Sequence, residues 1–118
     1  MNAIVGNPAA LDLVVIRYAA LEFTVQWLEP DGVTPIPVSS VQLQLLQQFE
    51  GLLISDLSAY CSIIGTSSNE IAVAVPATVT QTLAQGNGVW QLGAVRTGDL
   101  NGFTVILRGT VKILLGVS

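Results

Sequence analysis

The chain has 118 residues and a formal net charge of −4, with 10% charged and 51% hydrophobic residues. A soluble domain usually has about 25% charged residues. Either Ser, Thr, Gln and Asn cover this surface or other chains cover part of it, and we favour the second with some of the first. The length fits a single domain over residues 1–118. The apolar runs are far shorter than the ~20 residues of a membrane span, so we predict no membrane partner. The four basic residues are dispersed along the chain, so we predict no nucleic-acid partner.

The first clear element is a strand over residues 21–28, in which the odd-numbered residues are apolar and most of the even-numbered ones polar. This period of two is typical of a half-buried strand. A Pro-Asp-Gly turn at 30–32 follows it. Pro35 and Pro37 come next and cannot donate ladder hydrogen bonds, so they predict a short segment at a sheet edge.

Three further strands and one short helix are predicted later in the chain. Residues 41–45 alternate cleanly until the phase slips at Leu46, which indicates a bulge or the end of regular pairing. Alternation returns in Glu70–Val75 and again over residues 103–115. Between them, the stretch 77–84 follows a proline and is long enough for one or two helical turns.

Turn signals rich in Gly, Asn, Asp and Ser separate these runs, at 65–69, 86–88 and 97–102. Short strands at such spacing predict an all-β fold, an antiparallel β-sandwich of roughly seven or eight strands with at most one short helix. The residues in phase with the apolar faces form the predicted core: Leu21, Phe23, Val25, Trp27, Leu43, Leu45, Ile71, Val73, Val75, Trp90, Leu92, Phe103, Val105, Leu107, Val111 and Ile113.

The sequence offers little for catalysis. It contains no histidine, so triads and histidine metal sites are absent. A carboxylate pair could still hydrolyse glycosides, but the acidic residues Glu29, Asp31, Asp56, Glu70 and Asp99 all flank predicted turns or loops. We therefore predict that the protein is not an enzyme, and we predict no cofactor and no metal.

Three other residue groups each allow two interpretations. Trp27 and Trp90 could stack on a ligand, although their phase favours core packing. Cys61 is the single cysteine, which favours a small buried side chain and excludes an intrachain disulfide. The glutamines between positions 42 and 48 could form a hydrogen-bonding interface or a solvated strand face, and we favour the second.

The order of the segments resembles a family of small bacteriophage virion proteins. In the first half, the similar parts are the apolar strand 11–17 and the alternating strand 21–27, which is followed by a turn and Pro-Ile at 30–36. In the second half they are a strand, a short helix, a Gly-aromatic strand, a Gly turn and a final strand with Leu-x-Gly-x-Val, at 71–75, 76–83, 88–92, 98–102 and 107–111. The family has an Ig-like β-sandwich related to the N-terminal domain of phage upper-baseplate proteins. Residues 91–95 are less acidic than the family's corresponding strand, and residues 47–69 match nothing in it.

The resemblance implies a virion structural protein that acts as an assembly subunit: a capsid decoration or cement protein, the base of a head fibre, or a tail or baseplate component. It carries over no catalytic residues. The predicted partners are further copies of the chain, in a trimer or ring, and capsid or tail proteins of the virion. The alternative is a recognition module for a cell-surface glycan or protein, which would require Trp27 or Trp90 to be accessible to solvent.

Five residues form the candidate interface. Leu28, Ile106 and Leu114 are apolar at positions predicted to face outward, where a partner could bury them. Pro35 and Pro37 mark an edge-like segment that is open to a specific neighbour but blocked for uncontrolled strand pairing.

Overall fold

The computed structural model describes residues 2–5, 9–49, 51–99 and 102–116. Ten strands form there: β1 Asn2–Val5, β2 Ala9–Ala10, β3 Leu13–Ile16, β4 Leu21–Trp27, β5 Val38–Gln47, β6 Leu53–Asp56, β7 Cys61–Ile64, β8 Glu70–Val75, β9 Gly86–Arg96 and β10 Thr104–Leu114. A 3-10 turn at Ser58–Tyr60 separates β6 from β7, and α1 spans Ala77–Thr80. The helical part of 77–84 is therefore one turn.

The strands form two facing sheets. Sheet I has the order β1-β4-β8-β7, and sheet II has the order β10-β9-β5-β6, with β2 and β3 both paired along the outer side of β10. All pairs are antiparallel except those of β1, β2 and β3. This is the strand arrangement of an immunoglobulin-like sandwich. The predicted antiparallel Ig-like β-sandwich with one short α-helix is confirmed.

The core lies between the sheets and is centred on Trp90. The rings of Phe23 on β4 and Trp90 on β9 meet edge to face, with centroids 5.9 Å apart and planes at 76°. In antibody domains a disulfide joins the two sheets across the core. This chain has a single cysteine and cannot form such a disulfide. In its core, the Phe23–Trp90 pair connects the two sheets.

Most of the predicted core residues are buried, but the phase predicted for the last strand is wrong at its start. A bulge between Val105 and Leu107 inserts an extra residue against β9. As a result Ile106 and Leu107 are both buried, Val105 is half-buried and Phe103 is 48% exposed. Since a bulge turns consecutive side chains to one side of the sheet, strict alternation could not locate them.

Leu28 is also buried rather than outward-facing, with 7% of its surface exposed. It forms an isolated bridge with Pro35, where the chain folds back on itself. The predicted Pro-Asp-Gly turn closes this bend, because Asp31 Oδ1 accepts hydrogen bonds from the Val33 and Thr34 N–H groups at 2.8 Å. Burial of Leu28 directly after Trp27 marks the point at which the strand alternation ends.

The segment after β8 carries the chain from sheet I to sheet II. Thr80 is fully buried there, and its hydroxyl donates to the Ala19 carbonyl at 2.8 Å. Arg17 donates from Nη2 to the Gln81 carbonyl at 3.0 Å. These two bonds fix α1 against the turn between β3 and β4. In the described part of the chain, no helix is long and apolar enough to cross a membrane.

Candidate assembly interface

Apolar and charged side chains occur together on the outward face of sheet II. Strand pairing aligns them in rows that run across the sheet. The upper row consists of Arg108, Gln91, Gln44 and Asp56, on β10, β9, β5 and β6 in that order. The Gln91 side-chain amide donates to Gln44 Oε1 at 3.0 Å, so the two glutamines share this face.

The lower row consists of Thr110, Val89, Leu46 and Leu53 on the same four strands. Val89 and Leu46 are half-buried, and Leu53 is 54% exposed. Neighbouring apolar residues therefore cross the middle of the sheet, beside a row whose two ends carry opposite charges. The members of both rows on β9 and β10 line a groove of about 490 Å³, together with Leu46 on β5 and with Ala10 and Asp12 at the outer side of β10.

The margin of sheet II along β3 is apolar as well. Val14 pairs with Lys112 and Ile16 with Leu114. Val14, Ile16 and Leu114 are all exposed, as predicted for Leu114. The strand 11–17 was expected only from the family resemblance, which gave no indication of the outward position of Val14 and Ile16.

Leu11, through its backbone, and Asp12, through its side chain, attach this margin to the sheet. The Leu11 N–H donates to the Arg108 carbonyl at 3.0 Å, and the Trp90 indole Nε1–H donates to the Leu11 carbonyl at 2.7 Å. A Cβ on Gly109 would lie 2.0 Å from that carbonyl oxygen, so only glycine fits there. This contact explains the glycine of the Leu-x-Gly-x-Val motif.

Asp12 completes the attachment. Its Oδ1 accepts hydrogen bonds from the Thr110 hydroxyl at 2.8 Å and from the Thr110 N–H at 3.2 Å. The hydroxyl bond, followed by the backbone bond, lowers the pKa of Asp12 from its ordinary value. The carboxylate therefore occupies the place of a strand carbonyl and remains ionised at neutral pH.

Asp56 is fixed in a similar way at the opposite margin, on β6. Its Oδ1 accepts hydrogen bonds from the hydroxyl and from the N–H of Ser58, the latter at 2.9 Å, and these bonds lower its pKa. The Ser58 hydroxyl oxygen in turn accepts the Leu43 N–H at 2.9 Å. Asp56 is exposed and ionised, and its position is set by a turn that is bonded to the neighbouring strand β5.

The outward face of sheet I has a different character. Its paired residues are small or polar, with Glu22 opposite Ala74, Thr24 opposite Ala72 and Gln26 opposite Glu70. The edge strand β7 adds Ser62 and the 41% exposed Ile64. In the described part of this face, acidic carboxylates are present without a lysine or arginine.

The structure does not bring the five predicted interface residues together. Leu28 and Ile106 are buried, so their predicted outward positions are wrong. Pro35 and Pro37 are half-buried in the segment before β5, whereas Leu114 lies at the opposite end of the sandwich. Residues that the sequence did not identify dominate the exposed apolar surface.

Several of these residues belong to the segment 47–69, which matches nothing in the family that the sequence resembles. Phe49 is 93% exposed, and Leu52 and Leu53 are exposed by more than half. The signal available in the sequence was the apolar run 52–54 close to a phenylalanine, in a stretch without alternation. Phe103 lies outside this segment but also adds to the exposed apolar surface, because its side chain packs over Gly93 on the outward side of sheet II.

The residues that the sequence suggested for ligand binding are buried or half-buried in the fold. Trp27 and Trp90 are buried, with 6% and 1% exposed, so the predicted core packing is confirmed and neither offers a stacking surface. Burial, followed by the charge of Asp56, raises the pKa of the half-buried Cys61 thiol to about 11. Within the described ranges, no group of three or more His, Cys, Asp or Glu residues could hold a metal ion.

Two solved structures with a similar fold were compared with this sandwich. The N-terminal domain of phage TP901-1 ORF48 gives a TM-score of 0.48 at 10% sequence identity, covering 99% of this chain and 100% of that one. The titin M3 domain gives 0.42 at 14% identity, covering 97% and 92%. A phage N-terminal domain is thus among the similar folds, but at these values neither likeness carries an argument about function. Scans of protein-family models and of curated proteins find no match.

Proposed function

We propose that the protein is a non-catalytic structural subunit of a bacteriophage virion, which assembles through the outward face of sheet II. The observation that carries this proposal is the apolar centre of that face, formed by Val89, Leu46 and the exposed Leu53. Each Å² of apolar surface removed from water contributes about 25 cal/mol, so a partner that covers this centre stabilises the assembly.

The composition favours an assembled subunit over a monomer in solution. A charged fraction of 10% leaves few charges to keep separate molecules apart. Exposed apolar residues lie on both margins of sheet II, with Val14 and Ile16 on one side and Leu52 and Leu53 on the other. Contact with other subunits would cover these residues.

The sequence resemblance to phage virion proteins supports the location. Within the virion, the proposed roles are capsid decoration or cement, the base of a head fibre, or a tail or baseplate component. The proposed partners are further copies of the chain, in a trimer or ring, and capsid or tail proteins.

We also propose that the protein is not an enzyme, because its carboxylates take part in structural hydrogen bonds and an ion pair. Asp12, Asp31 and Asp56 each accept hydrogen bonds that close a turn or attach a strand. Glu29 pairs with Arg96 at 2.6 Å at the loop end of the sandwich. None of these interactions directs two carboxylates at a common substrate position.

Sedimentation of the purified chain, followed by cross-linking to purified virions, tests the proposal. We expect a homo-oligomer or a stoichiometric cross-link to a capsid or tail protein. A chain that stays monomeric at high concentration and cross-links to no virion protein would contradict it. Binding of that monomer to host cells would instead favour the recognition module.

A further inference from the structure

The upper row of sheet II has a charge order that fits a second copy of itself. Arg108 stands at one end on β10, Asp56 at the other on β6, and the uncharged Gln91 and Gln44 lie between them. Neighbouring strands are about 4.8 Å apart, so three spacings place the backbones of Arg108 and Asp56 roughly 14 Å from each other. The ion pair found in the described residues joins Arg96 and Glu29, and Arg108 and Asp56 do not form one within the chain.

Two copies that stack these faces against each other are related by a two-fold axis lying in the plane of contact. If the axis runs across the strands, along the upper row, that row meets itself and Arg108 faces the partner's Arg108. If the axis runs along the strands between β9 and β5, the row is reversed left to right. Arg108 then faces the partner's Asp56, and Asp56 faces the partner's Arg108. Because opposed unlike charges attract and like charges repel, the charge order selects the second axis.

The lower row agrees with this choice. The same axis places Val89 against the partner's Leu46 and Leu46 against the partner's Val89. Thr110 then faces the partner's Leu53. The centre of the contact is apolar, the glutamines of both copies lie beside it, and one charge pair lies at each end of the row of glutamines. This arrangement has the apolar centre and polar rim of a protein interface.

We propose that two copies of this chain pair face to face through sheet II, about a two-fold axis parallel to the strands between β5 and β9. The proposal rests on the assembly role proposed above and names the partner and the symmetry of one contact. A two-fold contact of this kind is isologous, and it builds dimers or rings of dihedral symmetry. A cyclic trimer uses a different, heterologous surface.

A charge exchange tests the pairing. The variant R108E places a glutamate opposite the partner's Asp56 at both ends of the contact. We expect its dissociation constant, measured by sedimentation equilibrium, to rise at least about tenfold. Adding D56K to the same chain restores an opposite-charge pair at both ends, so the double variant is expected to regain most of the affinity. The loss caused by R108E is expected to shrink as salt is raised.

The matched control is K112E, which makes a comparable charge change on the same strand and face but in a row without an acidic residue on β6. It is expected to change the dissociation constant less than R108E. Near-UV circular dichroism identifies any variant that has not folded, which matters because D56K removes the hydrogen bonds to Ser58. An equal effect of R108E and K112E, or no recovery in a folded double variant, would overturn the proposed axis.

Cross-linking gives an independent test that does not depend on charge. Leu53 and Thr110 lie at opposite ends of the lower row, and the proposed axis places each against the other residue of the partner. In a C61S background, L53C with T110C in one chain should give covalent dimers with a short bismaleimide. Either cysteine alone should not, because two copies of one position are separated by about three strand spacings.

The outcomes separate this inference from the proposed function. Dimers cross-linked equally well by L53C alone or T110C alone would overturn the axis while leaving self-assembly in place. A wild-type chain that is monomeric but cross-links to a virion protein would overturn the face-to-face pair and leave the virion role. Failure of both self-association and virion contact would contradict both.

Discussion

The outward faces of the two sheets obey the same strand periodicity but carry different chemistry. On sheet I, outward positions of β4 and β8 hold Glu22, Ala72 and Ala74, which are small or acidic and need no partner. On sheet II, Leu46 and Val89 hold the centre of the face. Inward positions of both sheets must be apolar for the domain to fold, whereas outward positions are free to vary. Folding does not require the difference between the two outward faces, and we attribute it to the assembly contact proposed for sheet II.

The aromatic contact between the two sheets should contribute more to stability than any other contact tested below. Phe23→Ala removes the ring that packs against Trp90 between the sheets. It should lower the free energy of unfolding by about 3–5 kcal/mol, because the cavity adds to the lost burial. Denaturant unfolding measures this change. Phe49→Ala is the matched control, since Phe49 is 93% exposed and its loss should be within about 0.5 kcal/mol.

A smaller and more local effect is expected at the margin of sheet II. Gly109→Ala forces a Cβ into the Leu11 carbonyl, and the resulting displacement should cost about 1–3 kcal/mol of unfolding free energy. Gly93→Ala is its control on the neighbouring strand, because a Cβ there meets the Phe103 Cβ at an ordinary 3.5 Å. Equal stabilities of the two variants in denaturant would show that the residue 11–12 attachment is not tight.

These local contacts also show what the sequence could not predict. Alternation located β4, β5 and β8 together with their buried faces. It failed at Ile106 because a bulge cannot be seen in a period-two pattern, and at Leu28 because a bridge to Pro35 buries it after the strand ends. The attachment of Leu11 to Trp90 joins residues 79 positions apart, so no local signal could reveal it.

The candidate interface was also only partly predictable from the sequence. Leu114 is outward and exposed, since alternation holds for the second half of β10. The rows on sheet II depend on the pairing of four strands that are distant in the chain, so their charge order exists only in the fold. The sequence indicated a surface in need of partners, and strand pairing is needed to say which one.

A direct contrast between the faces is the next prediction. Leu46→Glu places a charge at the apolar centre of sheet II, next to Val89, and should weaken self-association at least about tenfold. Ala74→Glu places the same charge on sheet I and should leave association unchanged. Sedimentation equilibrium of both variants at several concentrations provides the measurement. If Ala74→Glu dissociates the oligomer and Leu46→Glu does not, the assembly surface is on sheet I.

The smallest expected effect is a dependence of stability on acid. Hydrogen bonds in the folded state lower the pKa of Asp12, Asp31 and Asp56 below the ordinary 3.8. Their stabilisation is complete above that value and is lost as the pH falls through the lowered folded values. Urea unfolding at about pH 6 and about pH 3 should show this loss. Replacing the three residues with Asn should make the difference smaller, and an unchanged difference would show that other groups cause it.

Hydroxyl-radical footprinting at low and high protein concentration measures the solvent accessibility of both faces in the same sample, and so shows which sheet the assembly covers. Leu53, 54% exposed, and the half-buried Leu46 report on sheet II, and Ile64, 41% exposed, reports on sheet I. We predict that oxidation of Leu46 and Leu53 falls as the concentration rises, while oxidation of Ile64 stays constant. Protection of Ile64 without protection of Leu46 and Leu53 would contradict assembly through sheet II.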